Sequence, residues 1–171
     1  MTVHRNGEQP DHANTSIHPP TVFIGAVFIG WLARMFSALS FDKDSLFAGK
    51  MPLPAEVADA IGGFLIVVGL GLFFWASFAF RRSGEQLPPD TPTHRIIQTG
   101  PYRFSRNPIY LAAALVGSGL AVATTNLWML MMVGLAMVLI HFEVVLKEEA
   151  YLERKFGEAY ANYKARVRRW I

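Results

Sequence analysis

Residues 109–142 read IYLAAALVGSGLAVATTNLWMLMMVGLAMVLIHF, a run of 34 residues without a formal charge. As one straight helix this run would be about 51 Å long, which exceeds the hydrocarbon core of a bilayer, about 30 Å thick. The run must therefore turn back on itself. Its polar cluster is Thr124, Thr125 and Asn126, where we predict a tight turn between two apolar helices of about 16 residues each.

Two more apolar segments precede this hairpin. Residues 60–80 carry no charge over 21 positions, about 31 Å of helix, and residues 21–40 carry only Arg34, which lies near one end and can snorkel toward the headgroups. The chain has a mean hydropathy of +0.28 and 17% charged residues, compared with about a quarter in a typical soluble domain. We therefore predict an all-α, polytopic integral membrane protein with about four transmembrane helices.

The composition divides the 171 residues into three parts. Residues 1–20 are polar and rich in proline, so we predict a mobile tail and no signal peptide. Residues 21–80 hold the first two transmembrane helices, and residues 81–171 hold the hairpin and most of the polar sequence. A net charge of +3 does not suggest nucleic acid as a partner, and the absence of cysteine excludes disulfides, thiolate metal sites and a cysteine nucleophile.

Lysine and arginine are distributed unevenly among the segments between the predicted spans. With four spans and the N-terminus inside, 13 of these residues lie on the cytoplasmic side and 2 on the other side. Both termini are therefore predicted to be cytoplasmic. The loop 81–107 and the segment 143–171 then share the cytoplasmic face and can form one pocket there.

The loop that leads into the hairpin ends in Asn107-Pro108, an order typical of a helix N-cap followed by proline at the first helical position. Capping alone is enough to explain Asn107. In the same way, Tyr102 and Tyr110 can be interfacial aromatic residues, and arginines such as Arg106 can contact lipid headgroups.

The last apolar helix continues into charged sequence and is predicted to stop at Gly157. At 100° per residue, His141, Val144 and Glu148 share one face, with Glu149 next to it. A charged collar where the helix leaves the membrane would explain the glutamates without a ligand. The basic residues 166–171 resemble an interfacial anchor.

Three elements succeed one another in this half of the chain: a loop motif, the helical hairpin and a pair of glutamates. The loop motif contains His94-Arg95-Ile96-Ile97, Thr99-Gly100-Pro101-Tyr102 and Arg106-Asn107-Pro108-Ile109-Tyr110, and the glutamates are Glu148-Glu149. Over residues 81–169 this pattern resembles the isoprenylcysteine carboxyl methyltransferase family and the related membrane phospholipid methyltransferases. The resemblance implies a methyltransferase core at 81–171, with S-adenosylmethionine as cofactor in the cytoplasmic pocket and no metal.

The resemblance also assigns site residues, position by position. It places the cofactor contacts on His94, Arg95, Ile96, Ile97, Tyr102, Asn107, Pro108, Ile109, Tyr110 and Glu148, and we predict that Glu149 belongs to the same cofactor-binding set. We also predict His141, Arg106 and Asn107 as the candidate catalytic residues. These residue types suit the ligand. A cationic sulfonium needs a carboxylate, the adenine needs an apolar slot such as Ile96 and Ile97 could line, and a helix start offers N–H groups to the methionine carboxylate.

Two positions depart from the family pattern. Asn107 stands where the family has histidine, so the site lacks a titratable imidazole there. Val144 stands where the prenylcysteine enzymes have an arginine that engages the substrate, so a carboxylate acceptor would lack this partner. His141 is then the polar group nearest the acceptor, or a packing residue of the helix.

The sequence thus predicts an S-adenosylmethionine-dependent methyltransferase, integral to a cell, inner or endoplasmic-reticulum-type membrane, that acts on a lipophilic acceptor in the bilayer and resembles the isoprenylcysteine enzymes. One alternative is a phospholipid or lipid-amine N-methyltransferase on the same scaffold. Another is a non-catalytic membrane protein that binds headgroups or a partner.

Overall fold

The computed structural model describes residue 15 and residues 17–40, 48–83 and 95–171. Over these residues the fold is all-helical, as predicted, apart from one isolated β-bridge between Lys50 and Asn126. A 3-10 turn and a π turn complete the set of elements: α1 (Pro19–Ser40), α2 (Ala55–Arg82), the 3-10 turn (Gly100–Arg103), α3 (Pro108–Ala123), α4 (Leu127–Ile140), the π turn (His141–Val145), α5 (Leu146–Phe156) and α6 (Glu158–Arg166).

Among the described residues, three helical stretches are long and apolar enough to cross a membrane: Pro19–Leu39, Ala55–Arg82 and Leu127–Phe156. The apolar helix α3 has 16 residues, about 24 Å, and is shorter than a full crossing. Helix α1 begins at Pro19, two residues before the predicted start. Proline is tolerated in the first turn because the N–H group that it lacks would have no helical partner there.

The predicted hairpin turn between α3 and α4 is confirmed. Thr125 has a φ of 46°, which reverses the chain between the two helices. The Asn126 side chain accepts a hydrogen bond from the Met129 N–H at 3.0 Å and so caps α4. Its amide also donates to the Gly30 carbonyl at 3.3 Å, which ties the turn to α1.

Arg34 lies near this turn, and its side chain does not point in the predicted direction. Its guanidinium does not snorkel outward but donates to two backbone carbonyls, of Gly49 at 2.9 Å and of Thr125 at 3.0 Å. The side chain bridges two chain segments whose carbonyls have no helical partner. Arg34 therefore locks the segment before α2 onto the α3–α4 turn.

Helices α2 and α3 pack closely through small residues. A Cβ atom at Gly62 would lie 2.6 Å from the Cβ of Ala123, and one at Gly119 would lie 2.8 Å from the Gly62 carbonyl oxygen. Close backbone approach of this kind is how membrane helices gain dispersion energy, since lipid offers no hydrophobic driving force. Helix α1 packs mainly on α4 and touches α3 little, so one face of α3 between α1 and α2 stays uncovered.

The π turn at His141–Val145 interrupts the helix that runs from α4 into α5. The Leu146 N–H donates to the His141 carbonyl, five residues back instead of four. The prediction that His141 and Glu148 share a face assumed 100° per residue throughout and is wrong, because the wider turn adds a residue and rotates α5 relative to α4. The predicted end of α5 is confirmed: Gly157, with a φ of 51°, comes directly after Phe156.

Candidate active site

The loop before α3 rests on the end of α2. Gly100 has a φ of 61°, and a Cβ atom there would lie 3.0 Å from the Cβ of Ala79 and 3.2 Å from the Nε1 of Trp75. Only glycine allows this approach without strain. Tyr102 is buried next to Ala79, with Ile97 and Ile109 packed against them, so three predicted cofactor contacts meet here.

The two isoleucines predicted to line one apolar slot belong to different clusters. Ile97 packs near Tyr102, whereas Ile96 packs against Tyr160 and Tyr163 of α6. The structure therefore does not pack the two side chains together, and Ile96 helps dock α6 on the loop.

The Tyr163 hydroxyl joins the two clusters by donating to the Tyr102 carbonyl at 2.8 Å. Burial raises the pKa of Tyr163 to about 12, so the hydroxyl keeps its proton at neutral pH and the hydrogen bond persists. Burial also raises the pKa of Tyr102, and the nearby Tyr163 and Glu148 raise it further. Tyr102 is thus a neutral group close to the Glu148 carboxylate.

Glu149 is the centre of a buried ion-pair cluster. Its carboxylate accepts from Nε and Nη2 of Arg106, at 3.2 and 2.8 Å, and from Nε and Nη2 of Arg169, at 3.0 and 2.8 Å. The side chains of Arg106 and Glu149 are each 8% exposed. The two guanidinium groups provide hydrogen-bond donors to both carboxylate oxygens. The negative charge of Glu149 is therefore paired within the protein.

Arg106 and its neighbours also fix the segment Val167–Arg169. Arg106 Nη1 donates to the Val167 carbonyl at 3.0 Å, and the Arg106 backbone N–H donates to the Arg168 carbonyl at 3.0 Å. Ser105 Oγ and Asn107 Nδ2 both donate to the Arg169 carbonyl, at 3.2 and 3.1 Å. We call these residues, with Glu149, the clamp: Ser105, Arg106, Asn107, Glu149 and Arg169.

The clamp corrects the interpretation of Asn107. Asn107 does precede α3, and Pro108 is the first helical residue, as predicted, but the Asn107 side chain makes no capping hydrogen bond. Its amide instead binds a carbonyl 62 residues away. Ser105 and Arg169 were not predicted from the sequence, because Arg169 lies in a basic run that resembles a membrane anchor and no local spacing connects it to Glu149.

Glu148 has a different environment from its neighbour. The Tyr110 hydroxyl donates to Glu148 Oε1 at 2.9 Å, and Glu148 is partly buried. The structure thus brings Tyr110 on α3 and Glu148 on α5 together, beside the buried start of α3 at Pro108. The Glu148 carboxylate thus lies near Tyr102 and Tyr110. Among the described residues, no arginine forms an ion pair with this carboxylate.

The remaining predicted site residues are dispersed. His141 is partly buried, and its ring centroid lies 4.9 Å from that of Phe142 and 6.0 Å from that of Trp170. Arg95 is exposed, and His94 lies outside the described residues. In the described ranges, no group of three or more His, Asp or Glu side chains is arranged to hold a metal ion.

The comparison with protein families bears on this arrangement directly. Residues 57–159 match the model of the phospholipid methyltransferase family, from the start of α2 into α6. The chain belongs to the phospholipid methyltransferase family. Members of this family are membrane methyltransferases, which agrees with the resemblance seen in the loop, hairpin and glutamate pattern. The matched residues include Arg106, Tyr110, Glu148 and Glu149 but end before Arg169.

A shorter similarity covers part of the chain. Over 27 residues, 16% of this chain, it is 56% identical to an uncharacterized protein of Haemophilus influenzae (strain ATCC 51907 / DSM 11121 / KW20 / Rd). The match covers 43% of that protein's length. No solved structure matches the chain.

Proposed function

We propose that the protein transfers a methyl group from S-adenosylmethionine to the amine headgroup of a membrane lipid. The observation that carries this proposal is the different use of the two adjacent glutamates. Glu149 is neutralised by Arg106 and Arg169, whereas the donor to Glu148 among the described residues is the neutral phenol of Tyr110. Glu148 is thus the negative charge that remains for a cationic ligand.

The residues around Glu148 fit S-adenosylmethionine, which when bound would supply a methyl group already activated on a sulfonium sulfur. The Glu148 carboxylate would pair with the ammonium group of the ligand's methionine part, a charge that S-adenosylhomocysteine also carries. The N–H groups of Ile109 and Tyr110 lie in the first turn of α3, where no helical carbonyl can accept from them, and would hold the methionine carboxylate. Ile97 and Ile109 offer apolar surface to the adenine, and the family positions His94, Arg95 and Ile96 complete the proposed set.

The clamp has a supporting role in this proposal. It holds the segment Val167–Arg169 against the start of α3, and with it Trp170, which packs on His141. Arg106 and Asn107 then act by positioning the chain and not by contact with the reacting atoms. The contact with Trp170 supports a packing role for His141 as well. Methyl transfer from an activated donor needs alignment and exclusion of water more than a nucleophilic side chain.

The choice of an amine acceptor rests on the charges near the site. Val144, where the prenylcysteine enzymes have arginine, is completely buried with Phe23, Ile140 and Val145. Arg106 and Arg169 already bind Glu149, so they cannot neutralise a substrate carboxylate without breaking the clamp. An acceptor carboxylate would also meet the negative charge of Glu148, whereas an amine would not be repelled.

Binding of S-adenosylhomocysteine, measured by isothermal titration in detergent, tests the assignment of Glu148. We expect Glu148→Gln to weaken binding by about 1.5 to 3 kcal/mol, roughly 10- to 150-fold, because a charge-assisted contact is lost. The control is Glu143→Gln, which makes the same change at a half-exposed side chain paired with Lys147. Equal affinities of the parent and the Glu148 variant would refute the assignment, and a folded parent that binds no S-adenosylhomocysteine would favour a non-catalytic protein.

A further inference from the structure

An apolar groove of about 650 Å³ lies on the uncovered face of α3. Helix α1 forms one wall and α2 forms the other, because α1 packs on α4 while α2 packs on α3. The groove opens sideways, and several of its rim residues, such as Ile24 and Phe28, are exposed. Its lining side chains are all apolar: Phe23, Ile24, Val27, Phe28 and Trp31 of α1, Leu70 and Phe73 of α2, Ala112, Ala113, Val116, Gly117 and Leu120 of α3, and Met129 of α4.

The groove begins next to the candidate site. Ala112 and Ala113 lie within one turn of Tyr110 on α3, and Phe23 and Tyr110 belong to the same apolar cluster. From residue 112 to residue 120 the groove extends along about 12 Å of helix, at 1.5 Å per residue. Trp31, Leu120 and Met129 form its far end.

We infer that this groove binds one hydrocarbon chain of the acceptor lipid while the lipid's headgroup lies at Glu148 and Tyr110. The inference rests on the proposed function and specifies it, since it makes the acceptor a lipid with a flexible chain that lies parallel to the helices. The groove starts within one helical turn of Tyr110, whose hydroxyl donates to Glu148, and this proximity is what connects chain and headgroup. The apolar lining has no group that would hold a headgroup at depth.

Chain binding here is selective by shape and not by hydrophobicity. A chain that leaves the bilayer for the groove exchanges one apolar surrounding for another, so it gains little transfer free energy. The chain gains dispersion contacts with side chains that are fixed in place. A chain whose shape does not fit is excluded by steric overlap with the same side chains. The residues at the middle and far end, Val116 and Trp31, should therefore control which chains fit.

Photo-crosslinking of the full chain in phosphatidylcholine nanodiscs tests the inference. The probe is phosphatidylethanolamine with a diazirine near the end of one acyl chain, added at low mole fraction. We expect labelling of Trp31, Leu120 and Met129 to exceed labelling of exposed residues outside the groove, such as Phe64 and Leu135, by about fivefold, the ratio given by roughly 1 kcal/mol. A second probe with the diazirine near the carbonyl should label Phe23 and Ala113.

Two variants check the geometry. Val116→Phe should reduce labelling at the far end several-fold, and Phe64→Ala, outside the groove, should leave it unchanged. Labelling spread evenly over all lipid-exposed residues of the parent would overturn the inference, because it would show ordinary surrounding lipid, and it needs no folded variant. Methyl transfer to the same probe is measured separately, so an evenly labelled protein that methylates would contradict the groove alone, and a selectively labelled protein that does not methylate would contradict the proposed function alone.

Discussion

Adjacent residues on a helix point about 100° apart, and for this reason Glu148 and Glu149 have different partners. Glu149 points toward two arginines that come from distant parts of the chain, Arg106 and Arg169. Glu148 points toward Tyr110 of α3. The first contact holds the protein's own chain, and the second leaves a carboxylate with capacity for a ligand.

Because Glu149 binds two arginines of the chain itself, we expect it to stabilise the fold. Glu149→Ala should lower the free energy of unfolding by about 3 to 5 kcal/mol, because it leaves the buried guanidinium of Arg106 without a counter-charge. Reversible unfolding in mixed micelles measures this. Glu143→Ala is the control, since the Glu143–Lys147 pair is 45% and 37% exposed and should contribute about 1 kcal/mol or less. A similar small loss for both variants would contradict a structural clamp.

At the scale of elements, the predictions that succeeded were those that depend on local sequence. The hairpin turn was predictable from three polar residues inside a run too long for one crossing, and the end of α5 from Gly157, which adopts a positive φ. The π turn at His141–Val145 has no such local signal, because tertiary packing decides whether a helix accepts an extra residue. The prediction that His141 and Glu148 lie on the same helix face failed for that reason.

The C-terminal segment shows the same limit. Its arginines have the composition of a membrane anchor, but Arg169 is held by Ser105, Asn107 and Glu149. Contacts between residues 20 to 64 positions apart cannot be derived from spacing in one sequence. The support that Ser105, Asn107 and Arg169 give the chain therefore required the structure, and the cofactor contacts stay predictions.

Helix packing offers a test with two neighbouring glycines. A Cβ atom at Gly62 would lie 2.6 Å from the backbone nitrogen of Ala123, whereas a Cβ atom at Gly63 would meet nothing within 4 Å. Gly62→Ala should destabilise the protein by about 1 to 3 kcal/mol through overpacking between α2 and α3. Gly63→Ala should be neutral or slightly stabilising, since alanine is the better helix former. Equal effects on unfolding in micelles would show that α2 and α3 do not pack as described.

At the scale of the molecule, two hydrogen-bonded networks of described residues lie at opposite ends of the helices. At one end Arg34 and Asn126 join α1, the segment before α2 and the α3–α4 turn. At the other end the clamp joins the loop, α5 and the segment after α6. Between these networks the described helices present largely apolar side chains, and the candidate active site lies at the clamp end.

The orientation of the molecule can be predicted from the distribution of its basic residues. Because 13 of the 15 lysines and arginines outside the predicted spans would lie on one side, we predict that the clamp end and both termini face the cytoplasm. Alkaline phosphatase and green fluorescent protein fusions after Ile171 measure this in a bacterial host. Fluorescence without phosphatase activity is expected. The opposite pattern would place the candidate site on the wrong side for a cytoplasmic cofactor.

The most direct test of the proposed reaction is transfer of a radiolabelled methyl group from S-adenosylmethionine to lipid in nanodiscs that contain the parent protein. We expect label in phosphatidylethanolamine and much less label in a farnesylcysteine analogue. Glu148→Gln should lose roughly 10-fold or more of the activity at subsaturating S-adenosylmethionine, and Glu143→Gln should not. Label in the farnesylcysteine carboxylate and none in the amine lipid would contradict the proposed acceptor. The absence of transfer to either acceptor by folded protein would contradict the proposed reaction.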